Sequence, residues 1–138
     1  TPMEGLVEPY VIVKRGGFKL GIIGATVRLA GVVSAPNIEG MVQLNTLEEI
    51  NRWAEYLKKQ KKCDLVILLS HLGFDGGSEK NPSDQIVAAN SHDIDFIIGG
   101  HSHTFLKDAV EVENLDGEPV PIMQAGCKGI EIGELKIY

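Results

Sequence analysis

Three of the four histidines in this 138-residue chain stand where an apolar run gives way to glycine and polar residues. His71 follows Leu65-Val66-Ile67-Leu68-Leu69-Ser70, while His101 and His103 follow the run from Ile94 to Ile98, in the cluster Gly99-Gly100-His101-Ser102-His103. A neutral imidazole nitrogen is the commonest side-chain metal donor, and three convergent rings are a suitable ligand set for Zn, Mn, Fe or Ni. His103 lies two positions after His101. In an extended segment such positions face the same side, so both rings can aim at one spot. Gly99 and Gly100 leave the backbone room for a sharp turn there. His92 precedes the second run instead of following it, which puts it at the other end of a strand, where a helix C-terminus favours an imidazolium, and excludes it from the site.

The other reactive side chains in these segments read as structural. Ser70 beside His71 could suggest a nucleophile with its base, but neighbours in a strand point to opposite faces and no third group is in view to orient the pair. Asp75, Asp84, Asp93 and Asp95 are carboxylates near the histidines in sequence. Asp93 and Asp95 fall at the wrong strand end, and the set reads as solvated loop carboxylates or, for Asp84, a helix cap. Cys63 and Cys127 are too few and too separated in context for a disulfide framework or a cysteine zinc site, and read as free structural thiols.

The elements that must hold these groups follow from pattern. Leu65 to Leu69 is a continuous apolar run of the kind found in a strand covered on both faces. Asn81-Pro82-Ser83-Asp84 leads into a short helix over Gln85 to Asn90, and Ile94 to Ile98 is a second strand. Strand, helix, strand is a βαβ unit, so the two strands run parallel with their carboxyl ends on one sheet edge, where α/β folds gather ligands. Earlier in the chain, Tyr10 to Val13 and Lys19 to Ile23 flank Arg15-Gly16-Gly17 as a hairpin. Gly24 to Asn45 is irregular and reads as a loop with short ordered pieces. Thr46-Leu47-Glu48-Glu49 matches a capping box with Thr46 as the cap. The helix it starts puts Leu47, Ile50, Trp53, Ala54 and Leu57 on one face, with Lys58, Lys59, Lys61 and Lys62 at the end where the dipole favours cations. Short β-like pieces follow over Ala109 to Glu113, Val120 to Gln124 and Ile130 to Ile137, punctuated by Asp116-Gly117 and glycines.

Composition bounds the function. With 43% hydrophobic and 23% charged residues the chain is a folded globule of ordinary domain size. A formal charge of -6 offers no broad surface to a phosphate backbone, so a nucleic acid duplex is not the expected partner. No apolar run reaches the roughly 18–20 residues needed to span a bilayer, and Thr1 to Glu8 lack the layout of a secretory signal.

The blocks Val66 to Gly73 (VILLSHLG), Ile94 to Thr104 (IDFIIGGHSHT) and Gln124-Ala125-Gly126, together with Phe18 to Gly24, resemble the calcineurin-like metallophosphoesterases, nearest their 5'-nucleotidase and cyclic-phosphodiesterase branch. The resemblance implies an α/β fold: the second half of a metallophosphatase β-sandwich flanked by helices, with a parallel βαβ unit followed by mostly antiparallel strands. It makes His71 and His101 ligands of one metal and His103 a ligand of a second. It also implies a nucleotide or related phosphoester as substrate, and an extracytoplasmic parent, periplasmic or at the cell surface. The family's Asp-x-His, bridging Asp and Asn-His motifs do not occur before Tyr10, and its nucleotide-recognition domain is not among residues 1–138. Residues 1–138 are therefore expected to be the C-terminal half of the metallophosphoesterase domain. On its own such a half is expected to be inactive, to hold at most one weakly bound divalent ion for want of a bridging charge, and to self-associate through an exposed strand edge or sheet face. The rival expectation is a metal-free scaffold or binding module that keeps the fold. A structural zinc site of three histidines and a carboxylate is the weaker third, since such sites usually close with cysteine.

Overall fold

The computed structural model describes residues 5–137. Strands β1 (Tyr10–Arg15) and β2 (Phe18–Thr26) form the expected hairpin, with Arg15 opposite Phe18. Its two-residue turn, Gly16-Gly17, needs positive φ at both positions (56° and 88°), which glycine adopts without a steric penalty. A single six-stranded sheet follows in the order β1-β2-β3-β6-β8-β7, where β3 is Leu65–His71, β6 Phe96–Ile98, β7 Val110–Glu113 and β8 Pro119–Met123. A small hairpin of β4 (Gly77–Ser78) and β5 (Asn81–Pro82) stands apart. Strands β2, β3, β6 and β8 are mutually parallel, and β1 and β7 close the two edges antiparallel. The expected parallel βαβ unit is present. Its sequel is more parallel than read from sequence, because β8 joins β6 in parallel and only β7 runs back along it. No strand forms over 130–137.

Helices α1 (Thr46–Glu55) and α2 (Asp84–Ala89) cover one face of the sheet. Ile50, Ala54 and Leu57 from the first, and Val87 and Ala88 from the second, join Ile23, Val66, Leu68, Ile97 and Ile122 in one buried cluster. Gly21 is in that cluster's path. A methyl group there would meet the Leu57 side chain at 2.9 Å, so glycine lets the helix sit down on β2. The other face is covered less well than a doubly buried strand would be. Leu69 and its register partner Ile98 are 47% and 41% exposed.

Local contacts correct several expectations. The cap of α1 is Asn45, not Thr46: its Oδ1 accepts from the Leu47 and Glu48 amides, and its Nδ2 donates to Glu48 Oε1. The cap thus lies one residue earlier than read, and its carboxamide both accepts from helix amides and donates to the Glu48 side chain, a side-chain pair in place of the capping box's bond to the cap amide. Trp53 packs at the core margin against Tyr10 and Tyr56, with the Arg52 guanidinium 4.6 Å from its ring. Asp95 is not a solvated loop carboxylate. Its Oδ2 accepts from Val66 N at 2.6 Å and pairs with Lys58 at 2.7 Å, latching the start of β3 to the approach to β6. In the segment expected to be irregular, β2 continues to Thr26 and a 3-10 turn forms over Ala35–Ile38. Both cysteines are free, Cys63 buried and its thiol pushed up by that burial. Among the described residues no helix is long and apolar enough to cross a membrane.

Candidate metal centre

The site is built at the carboxyl ends of β3 and β6. Leu69 lies opposite Ile98 in the parallel ladder, so Ser70-His71, the last residues of β3 and still paired to β2, run beside Gly99-Gly100-His101, which has passed the end of β6. The rings of His71 and His101 come to 5.1 Å between centroids, edge to face at 71°. Glycine makes this approach possible. A Cβ on Gly100 would stand 3.1 Å from His71 Nδ1 and 3.2 Å from the Ser70 carbonyl oxygen. All three histidines are exposed.

His103 differs from the sequence expectation in its backbone. Both His101 (φ 76°) and His103 (φ 56°) adopt the left-handed region, so the segment is not extended and the same-face rule for alternate residues does not apply. Such conformations cost a non-glycine residue about 1–3 kcal/mol each and persist only where the surroundings impose them. Among the described residues no group of three or more His, Cys, Asp or Glu side chains is close enough to hold a metal ion. The structure thus brings His71 and His101 together and does not gather His103 with them into one group. His92 lies away from this edge, as read from sequence. Its Nδ1 is 2.8 Å from Asp116 Oδ2, and its amide donates to Asn51.

Beneath the histidines lies a polar layer that pattern reading missed. Ser70 is buried on the helix-facing side of β3, opposite in sense to the exposed His71, and its Oγ donates to Asp84 Oδ1. Asp84 is neither solvated nor a cap. It is fully buried as the first residue of α2, whose cap is Ser83. Burial pushes its carboxyl up to about 6, with the Ser70 hydrogen bond acting in the opposite direction. Its second oxygen, Oδ2, has no hydrogen-bond partner among the described residues and lies against Gly99, where any side chain would clash with it.

Gln124, at 2% exposure, is a further buried polar residue at this edge. Its Nε2 donates to the Gly100 carbonyl at 3.1 Å, and its Oε1 accepts from the Thr104 amide at 2.6 Å and from Ser102 Oγ at 3.1 Å. Ser102 Oγ in turn accepts from the Phe74 amide, joining the loop after β6 to the loop after β3. In the sequence Gln124 stood out as a polar residue ending a β run and as part of the Gln124-Ala125-Gly126 block of the family resemblance, neither of which gave its burial or its partners.

Two exposed imidazoles in contact at a sheet edge are a donor pair suited to a divalent transition metal, and in that respect the residues present fit such an ion. Residues 2–105 match the family model described as calcineurin-like phosphoesterase. An apyrase of Tabanus yao is 33% identical over 98% of this chain and 26% of its own length. A probable 5'-nucleotidase of Treponema pallidum (strain Nichols) is 30% identical over 99% of this chain and 24% of its own. Among solved structures, a 5'-nucleotidase precursor from Thermus thermophilus superposes with a TM-score of 0.74 at 29% identity, covering 90% of this chain and 25% of that one. The chain spans about a quarter of the length of these relatives.

Proposed function

Because the chain belongs to the calcineurin-like phosphoesterases, we propose that it is the metal-binding second half of a two-metal phosphohydrolase acting on nucleotides or related phosphoesters. His71 and His101 hold one divalent ion, and His103 is a ligand of the other. The observation that carries this reading is the 5.1 Å approach of His71 and His101 at the carboxyl ends of adjacent parallel strands. The names of the relatives, 5'-nucleotidase and apyrase, support the substrate class, and the description of one of them as a precursor is in keeping with an extracytoplasmic parent.

The chemistry that divalent ions supply when bound is polarisation of a phosphoryl oxygen and generation of a nucleophile from water at neutral pH. The chain's own contribution is placement. Strands β3 and β6 fix His71 and His101 on a rigid edge, Gly100 lets their rings meet, and the exposed site leaves room for a phosphoester to enter. The remaining ligands come, on this proposal, from segments outside residues 1–138, so these residues alone bind at most one ion, weakly, and do not turn over phosphoesters.

The test is metal titration and hydrolysis of AMP and bis-p-nitrophenyl phosphate by the full-length protein with Mn or Zn, in wild type, His71→Ala, His101→Ala and His92→Ala. Loss of binding and turnover in the first two variants, with His92→Ala unaffected, is expected. Wild-type turnover in His101→Ala would refute the assignment.

A further inference from the structure

We propose that Gln124 is the positioning residue for the metal-ligand loop: its buried carboxamide sets the conformation in which His101 and His103 are presented, and so sets metal affinity. The inference rests on the metal-site reading above and adds to it a residue that touches neither ion nor substrate. Its basis is the pattern of three hydrogen bonds made by one side chain across five residues. Nε2 holds the loop's entry at Gly100, Oε1 holds its exit at Thr104, and the same oxygen takes the Ser102 hydroxyl between the two histidines. Both histidines occupy left-handed backbone, which an exposed loop does not keep without being held. Gln124 is the group that does the holding. At 2% exposure its bonds face little competition from water.

The chemistry of the position selects a carboxamide. A donor must meet the Gly100 carbonyl while an acceptor meets the Thr104 amide, and glutamine carries both in one planar group without having to take up a proton, as a glutamate in its place would. Flipping the amide would set its NH2 against the Thr104 N–H, so the network also fixes its orientation. Glutamate would turn an oxygen towards the Gly100 carbonyl, and leucine would leave that carbonyl and the Thr104 amide unpaired. Gly99 completes the arrangement, since a Cβ there would come within 3.2 Å of Gln124 Nε2 and clash with Asp84. Gln124 itself is anchored from behind, where the Leu106 amide donates to its carbonyl and Gly126 donates to the Thr104 carbonyl.

Residues that orient metal ligands without touching the metal typically change affinity by about 10–100-fold when removed. The experiment compares wild type, Gln124→Glu, Gln124→Leu, Ser102→Ala and His101→Ala in the full-length protein. Mn and Co affinity is measured by competition with a chelating dye, alongside the Co absorption spectrum and hydrogen exchange of the Thr104 amide. Gln124→Glu and Gln124→Leu are expected to weaken metal binding by about 10–100-fold, alter the Co spectrum and speed Thr104 exchange, and Ser102→Ala to have a smaller effect in the same direction. Val120→Ala, which opens the core earlier in the strand that leads to Gln124, serves as the control for general destabilisation and is expected to leave the Co spectrum unchanged. If Gln124→Leu does not fold, Gln124→Glu and Ser102→Ala decide. Wild-type affinity and spectrum in folded Gln124 variants, with His101→Ala defective, would overturn this proposal alone. Wild-type affinity in His101→Ala would overturn both it and the metal-site reading.

Discussion

Stability should fall as the pH is raised through the range in which Asp84 loses its proton. The carboxyl is fully buried, one oxygen bonded to Ser70 and the other without a partner among the described residues. Burial disfavours the charged form and raises the group from 3.8 to about 6. A folded-state value above the unfolded one means that the native state binds the proton more tightly. The contribution is therefore fully present below about pH 3.8 and is lost as the pH rises through about 6. The whole interval corresponds to about 3 kcal/mol, of which about 2 kcal/mol falls between about pH 4.5 and about pH 8. Other carboxylates titrate in part of the same range, so the informative quantity is a difference. Urea unfolding of wild type and Asp84→Asn, both in the presence of a chelator to keep cations off the nearby histidines, is measured across that range. Asparagine cannot ionise, so wild-type stability minus Asp84→Asn stability should decrease by about 2 kcal/mol from the acid to the alkaline end. A difference that stays flat would mean that burial does not raise this carboxyl, and one that grows with pH that the buried carboxylate is stabilised as an anion; either would refute the reasoning.

Two further outcomes follow from the packing. Gly21→Ala forces a methyl group against Leu57 at 2.9 Å in a cluster with no exposed side on which to relax, and should lower unfolding free energy by about 1–3 kcal/mol in chemical denaturation. Asn45→Ala removes the acceptor of two amides at the start of α1 and should cost about 1 kcal/mol, whereas Thr46→Ala should cost less; equal losses in thermal melts would contradict Asn45 as the cap.

Local pattern was enough to recover the first hairpin, the two helices and the parallel direction of β3 and β6. The run from Leu65 to Leu69 and that from Ile94 to Ile98, with a helix between, require a parallel pair, and a parallel pair necessarily puts His71 and His101 at one edge. The same polarity removes His92 from that edge. The Gly16-Gly17 turn and the apolar face of α1 were readable for the same reason, since each depends on residues only a few positions apart.

What pattern could not supply depends on contacts between distant segments. Asp84 and Ser70 are 14 positions apart and Gln124 and Gly100 are 24 apart, and a carboxylate or a carboxamide in a short sequence reads as surface until tertiary packing closes over it. The left-handed backbone of His101 and His103 likewise lies in a loop that Gln124, distant in sequence, hydrogen-bonds at Gly100, Ser102 and Thr104, so alternation along an extended strand was the wrong rule there. The edge at which the histidines stand was thus determined by the order of apolar runs in the chain. How their loop is held was decided by buried polar groups that only the folded sheet brings within hydrogen-bonding reach.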